Sequence, residues 1–425
     1  MISLSEAPPY RAGLPGIVIL FILCHLTPPT RRGLCGTFRS KMGTKFLKII
    51  FLSFFSIAIL FLQPFSALAA LITDVRSWSA PDTTRVVIDL TEPVQYESSS
   101  QESPPQFQLE LKGVSLYTPK RELEVKDPFL SKISLTELGN GRVRMVLHQK
   151  RPLHANVFTL KPYQDKTHRL VIDLVDVVQE KKEIEERQKQ KEIKPKGTKI
   201  VVVDPGHGGE DPGAIGPKKT MEKDIVLKVG EKLVHLLNQN REVHAFLTRK
   251  GDYFIRLEER PKIARDYGAD LFISLHTDGS FNPQARGSSV YCLSLSGATD
   301  EAAKTLADKE NLSNILGGAF SKPTDLSKDP NLNQILLDLR QNDTMRDSFR
   351  FAETLLKGIR VVNPLKYSSY RQANFIVLKA PDIPSVLVEM AYQTNKEDER
   401  LLNGNEFQEK IAKALAASVK KFFGP

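Results

Sequence analysis

Four residues in the C-terminal half have the types and placement of a hydrolytic metal site. His207 lies in Asp204-Pro205-Gly206-His207-Gly208-Gly209, directly after the apolar run Ile200-Val201-Val202-Val203. His276 ends the run Leu271-Phe272-Ile273-Ser274-Leu275, and Glu389 follows Val386-Leu387-Val388. Short continuous apolar runs of this kind read as strands buried on both faces, so three ionisable side chains stand at strand ends. In open α/β sheets that edge is where ligands bind, and the glycines around His207 let a ligand approach the backbone closely. Glu222 opens a helix after a Gly/Pro-rich loop that could return it to the same edge. His, Glu and His with an open fourth position form the ligand set of a hydrolytic zinc site, in which the metal acidifies bound water. Glu389 has two readings: a helix N-terminal carboxylate favoured by the dipole, or a general base that passes a proton from water to a leaving amine. Taken singly, each histidine fits a packing role as well, and His235 and His244 read as surface or packing residues. Spacing alone leaves these alternatives open.

The elements that must position these residues follow from the periodicity. From Thr198 onward β and α segments alternate: a helix over Asp224 to Leu237 with Ile225, Val229, Leu233 and Leu236 on one stripe, a strand near His244 to Leu247, a helix near Leu257 to Tyr267 and a strand over Ser288 to Leu293. Further apolar segments lie at Phe375 to Leu378 and Ser385 to Val388, with a closing helix over Glu406 to Phe422. The alternation predicts an α/β domain over residues 198–425, a mixed sheet with helices on both faces. Residues 70–177 instead show period two, as in Val86-Val87-Ile88-Asp89-Leu90 and Val143-Arg144-Met145-Val146-Leu147, with a hairpin signal at Asn140-Gly141. They predict a small all-β sandwich. Between the two, residues 178–197 are almost entirely Glu, Lys, Gln, Arg and Ile, ending in Lys194-Pro195-Lys196-Gly197, and read as a charged linker.

The 425 residues, 41% hydrophobic and 26% charged, suit two or three globular domains and exclude collagen-like, low-complexity and multi-span membrane classes. Three cysteines exclude a disulfide scaffold, and Cys292, inside a strand pattern, reads as an inert packed thiol. Residues 1–69 read as a leader: Lys45 and Lys48, the apolar run Ile49 to Leu62, then Ser66-Ala67-Leu68-Ala69-Ala70 with small residues placed for cleavage after Ala69. Met42 would begin a leader with its regions in standard order, and cleavage would leave no membrane anchor. The formal charge of +10 falls to +4 without residues 1–69, which hold seven basic residues and one acidic one. With no basic cluster interleaved with aromatics, nucleic-acid binding is not expected. A mild positive balance suits an exported protein that meets an anionic polymer.

Taken together, Asp204 to Gly209, Glu222, Leu247-Thr248-Arg249 through Arg260 and Ala264, Ala269 to His276, and Val386 to Glu389 resemble the zinc-dependent N-acetylmuramoyl-L-alanine amidases of the cell-separation type. The β-rich residues 70–177 are similar to the AMIN domain that precedes such catalytic domains and targets them to peptidoglycan. The resemblance implies one Zn2+ held by His207, Glu222 and His276, with Glu389 catalytic. It implies hydrolysis of the amide between the lactyl group of N-acetylmuramic acid and L-alanine of the stem peptide, for septal wall splitting in the periplasm. Two stretches depart from the pattern, Thr277-Asp278-Gly279 after His276 and Met390 to Asn395 after Glu389, and neither includes an implied metal ligand.

About fifty residues separate the strand ending near Leu295 from the helix near Met345 to Ile359, too many for a plain connection. Within residues 297–342, Asp300 to Leu316 reads as one helix closed by Gly317-Gly318, and Leu332, Ile335, Leu336 and Leu339 form the stripe of a second. Related division amidases carry here a helix that covers the zinc cleft until a lysostaphin-like (LytM-type) activator displaces it. The resemblance therefore implies an autoinhibited enzyme whose open metal position is plugged by Glu310 or Glu301. The competing readings are a wall-binding septal scaffold with a weak catalytic site and a zinc peptidase cutting within the stem peptide.

Overall fold

The computed structural model describes residues 69–163, 166–317 and 333–424, with backbone alone over 333–342. Residues 1–68 of the expected leader lie outside the described residues, as does Leu332; the other stripe positions Ile335, Leu336 and Leu339 lie where only backbone is described. Among the described residues no helix is long and apolar enough to cross a membrane.

The period-two segments form ten strands: β1 (Ala70–Ser79), β2 (Thr83–Leu90), β3 (Gln95–Glu102), β4 (Pro105–Lys112), β5 (Val114–Leu116), β6 (Glu122–Glu124), β7 (Leu130–Gly139), β8 (Arg142–Gln149), β9 (His154–Leu160) and β10 (His168–Val175). They make two five-stranded sheets, ordered β5-β1-β2-β10-β9 and β3-β4-β8-β7-β6. Alternate residues point inward: Ile72, Val86, Ile88, Leu170 and Ile172 from one sheet meet Leu109, Leu111, Val143, Met145 and Leu147 from the other. Asn140 and Gly141 turn β7 into β8 with φ of 51° and 66°, the left-handed pair that a tight two-residue hairpin needs.

The charged stretch expected as a linker carries a helix, α1 (Val177–Glu192), capped by Asp176, which accepts from the backbone of Val178 and Gln179 at 3.0 Å. It buries no residue, as its composition requires.

The second domain holds a six-stranded sheet built from β11 (Lys199–Pro205), β12 (Val243–Leu247), β13 (Leu271–Asp278), β14 (Ser289–Leu293), β15 (Arg371–Ala373) and β16 (Ser385–Tyr392). The order is β12-β11-β13-β16-β14-β15, parallel except for the antiparallel β14–β16 pair. One face packs on α2 (Glu222–Leu237) and two C-terminal helices through Val201, Val203, Ile225, Val229, Leu355, Ile411 and Leu415. The other face packs on α3 (Glu259–Tyr267) and on the insertion through Ile200, Val202, Phe272, Ala264, Leu306 and Ala307. Cys292 is fully buried, and burial pushes its thiol up, as an inert packed residue requires.

Three boundaries differ from the periodicity. Phe375 to Leu378 is not a strand but leads into a 3₁₀ turn over Ile376–Leu378, its amides folding back onto the carbonyls of Phe375 and Ile376. The single helix expected over Asp300 to Leu316 breaks at Leu312 into α4 (Glu301–Asn311) and α5 (Ser313–Leu316). The second insertion helix and the helix near Met345 are one, α6 (Asn333–Ile359), so residue 342 falls inside it. The remaining helices are α7 (Lys396–Asn403) and α8 (Asn405–Phe423).

Candidate metal centre and active site

Adjacent strands bring the candidates together. β11, β13 and β16 are neighbours in the sheet and run parallel, so their C-terminal ends share one edge. The register sets His276 directly beside Glu389. His207 follows β11 in a left-handed backbone conformation, φ 59°, uncommon for a non-glycine residue. Two fully buried arginines hold it there. Arg249 donates to the carbonyls of Pro205 (3.0 Å), Gly206 and Lys223 (2.9 and 2.8 Å), and Arg260 donates to those of Pro205 and His207 (both 2.9 Å). Arg260 also pairs with Asp204 at 2.9 Å, whose carboxylate accepts from Thr248 (2.6 Å) and Ser274 (2.8 Å). Burial opposes ionisation of Asp204, but Arg260 and these hydroxyls hold its carboxyl below the usual range. Gly206 is required because a Cβ there would stand 2.4 Å from the ring of His276.

Four side-chain atoms converge in front of this turn. His207 Nε2 lies 3.1 Å from Glu222 Oε1 and 3.3 Å from Glu310 Oε2; His276 Nδ1 lies 3.1 Å from each of the same two oxygens. All four residues are buried. Glu222 is fixed by the backbone amides of Ala214 and Thr277, both at 2.8 Å. Burial raises its pKa, yet the two histidines outweigh that and hold its carboxyl far below the ordinary value. Burial likewise disfavours the charged form of His207, but Asp211 and Glu222 push its pKa well up. Glu310 is held low by Lys309 and His276 against its own burial.

The residues fit a cation. His207 Nε2 and Glu310 Oε2 are buried without a hydrogen-bond partner among the described residues, an arrangement costly for polar atoms unless something else bonds them. Two imidazole nitrogens and two carboxylate oxygens are donors of the kind zinc takes. His207, His276 and Glu310 offer ligand atoms all within 4.8 Å of one another. Asp211, which the sequence reading did not single out, orients the set: its Oδ2 lies 2.8 Å from His207 Nδ1, leaving Nε2 to face the centre. The His207-to-Asp211 spacing in a glycine-rich loop was the available signal.

Glu389 is fully buried and neither carboxylate oxygen has a hydrogen-bond partner among the described residues. Burial first, then the neighbouring carboxylates of Asp278, Glu222 and Glu310, push its pKa well up. An unpaired carboxyl group in register beside His276, at the edge that carries the other donors, is placed for proton transfer.

The structure separates the two plug candidates. Glu310 enters the site from the last turn of α4, with Lys309 Nζ 3.2 Å from its carboxylate. Glu301 stands in the first turn, 82% exposed and 3.6 Å from Lys304, about 13 Å along the helix from Glu310. The expectation for Glu301 is therefore corrected: the buried stripe of α4 runs Ala303, Leu306, Ala307, Glu310, and position 301 lies off it. His235, in the last turn of α2, faces Gln239 beyond the helix end and His244 sits within β12, neither joining the site.

Residues 201–421 match the family described as N-acetylmuramoyl-L-alanine amidase, and residues 74–202 match the AMIN domain. N-acetylmuramoyl-L-alanine amidase AmiC of Escherichia coli O6:H1 is 33% identical over 374 residues, covering 82% of this chain and 88% of the relative. N-acetylmuramoyl-L-alanine amidase AmiA of Escherichia coli K12 is 46% identical over 235 residues, 55% of this chain and 80% of the relative. Among solved structures, N-acetylmuramoyl-L-alanine amidase AmiC2 of Nostoc punctiforme covers 54% of this chain and 98% of its own at 28% identity, with a TM-score of 0.40. The chain belongs to the N-acetylmuramoyl-L-alanine amidase family.

Proposed function

We propose that this amidase is a zinc enzyme held closed by its own insertion. His207, Glu222 and His276 hold the metal, and Glu310 occupies the fourth position, where water and substrate must enter. The observation that carries this reading is the approach of Glu310 Oε2 to His207 Nε2 (3.3 Å) and His276 Nδ1 (3.1 Å) from an inserted helix. Zinc bound there supplies a Lewis acid that acidifies water near neutral pH.

The chain's own residues do the rest. Asp211 fixes the tautomer and direction of His207. Arg249 and Arg260 hold the strained turn, and the amides of Ala214 and Thr277 aim Glu222. Glu389 takes a proton from the attacking water and returns it to the departing L-alanine nitrogen, so the amide to the muramic acid lactyl group is cleaved. Withdrawal of α4 removes the carboxylate of Glu310 and exposes the strand-end edge. A lysostaphin-like activator protein is the partner expected to cause it. The 70–177 region targets peptidoglycan, and the leader exports the chain to the periplasm, where it acts at the division site.

The test is digestion of purified peptidoglycan by residues 70–425 and by the Glu310→Ala and Glu389→Ala variants, with mass analysis and chelator controls. Release of intact stem peptides beginning with L-alanine, raised by Glu310→Ala and abolished by Glu389→Ala and by chelator, is expected. Fragments cut within the stem peptide, or activity that survives chelation, would refute the assignment.

A further inference from the structure

The β1-β2-β10 sheet is buried on both sides, although the outer face of a two-sheet sandwich ordinarily meets water. Arg76, Arg85, Val87, Arg169 and Val171 alternate with the inward core residues and share that outer face. Val87 and Val171 are fully buried, and so is Arg169, only 1% exposed. The catalytic domain supplies the cover.

Glu210, in the loop that carries His207, is gripped by this face. Arg169 Nη1 donates to its Oε1 at 3.1 Å, Arg76 donates to both of its oxygens, and Lys166 Nζ stands 3.5 Å away. The same Arg169 Nη1 donates to the carbonyl of Leu316 at 2.9 Å, and Arg85 donates to that of Gly317. They belong to the last residue of α5 and to its C-cap, and among the described residues neither carbonyl accepts from the helix. Asp173 aims Arg85 through bonds of 2.7 and 2.6 Å, and Gly317 lies so close to Phe254 that a Cβ would stand 2.3 Å from its ring. One nitrogen of Arg169 therefore joins the metal loop to the C-terminal end of the plug segment. Its Nε and Nη2 are buried without partners among the described residues, and its hydrogen bonds there all leave the sandwich. A guanidinium so buried contributes little to the β domain's own stability.

We infer that the β domain is the latch of the closed state: Arg169 and Arg85 hold the end of the α4–α5 segment, so Glu310 leaves the metal site only when this grip is released. The inference rests on the plug reading above. It makes the domain a regulatory surface whose present occupant is the plug segment, in addition to any role in wall targeting.

The experiment uses residues 70–425 carrying Arg169→Met, Arg85→Ala or both, with Arg144→Ala on the opposite sheet as control and Glu310→Ala as the reference for plug loss. Two readouts are taken without activator: release of labelled peptidoglycan fragments, and amide hydrogen exchange over residues 301–317. Arg169→Met is expected to raise the rate about tenfold, a shift of about 1.4 kcal/mol toward the open state, with faster exchange in that segment. Arg169→Lys, which keeps a cation, should fall between, and Arg144→Ala should match wild type. If Glu310→Ala is active while the arginine variants keep wild-type rate and exchange, the latch is overturned and the plug stands. If Glu310→Ala is silent, the plug reading fails and the latch on Glu310 falls with it, whatever the exchange over residues 301–317. Arg85→Ala, at a partly exposed position, keeps the test decisive if Arg169→Met folds poorly.

Discussion

Asp211 offers the sharpest test of how the metal centre is built. It is fully buried, its Oδ2 holds His207 Nδ1 at 2.8 Å, and its Oδ1 accepts from the amide of Gly213 at 3.1 Å. Ser313 of α5 donates to the same carboxylate, so the residue touches both a proposed ligand and the proposed plug. Replacing it with Ala leaves His207 free to rotate and to bind through either nitrogen. Partners of this kind are typically worth about 10- to 100-fold in metal affinity, or about 1.4 to 2.8 kcal/mol. Asp211→Asn keeps an acceptor for Nδ1–H but loses the charge, and should fall at the small end of that range. Because Asp211→Ala also frees Ser313, the measurement belongs in a Glu310→Ala background, where plug position no longer affects the readout. Competition for zinc against a chromophoric chelator gives the dissociation constant directly. Affinity within about twofold of the parent, with His207→Ala abolishing binding, would show that Asp211 does not orient the ligand; loss equal to that of His207→Ala would instead make Asp211 a ligand itself.

Further outcomes follow from the same geometry. Arg260→Met leaves the Asp204 carboxylate buried without its cation and should cost about 3 to 5 kcal/mol in denaturant unfolding; a loss under 1 kcal/mol would mean that Thr248 and Ser274 suffice. Gly206→Ala forces the His276 ring aside from a 2.4 Å approach and should lower stability by about 1 to 3 kcal/mol while weakening zinc binding, both read by thermal unfolding with and without metal. Glu389→Gln conserves shape at a site where both oxygens are unpaired, so the turnover rate of an opened Glu310→Ala enzyme should fall about 10²- to 10⁴-fold at unchanged zinc content. Chelation should lower the melting temperature of residues 70–425, since metal at about 1,000 times its dissociation constant stabilises by about 4 kcal/mol; an unmoved transition would argue against a resident metal.

What the sequence disclosed, and what it withheld, follows the reach of each signal. His207, His276 and Glu389 were legible because each terminates a short apolar run, and parallel strands with matched ends deliver their last residues to one edge. Glu310 was within reach as well: Ala303, Leu306, Ala307 and Glu310 keep the 3.6-residue period of a buried face, and Glu301 breaks it, so phase alone separates the two candidates. Arg169 was not legible. Its place in β10 follows strict alternation, which assigns it to the outer face of a sandwich, and nothing local records that another domain covers that face. The same limit hid Asp211, whose role depends on the fold of a loop rather than on any period. Chemistry at strand ends is written in local pattern, whereas the restraint on that chemistry is written in contacts between segments more than a hundred residues apart, such as Arg169 with Leu316. If the latch holds, a substitution on the outer face of the β domain changes the activity of this amidase with every proposed metal ligand intact.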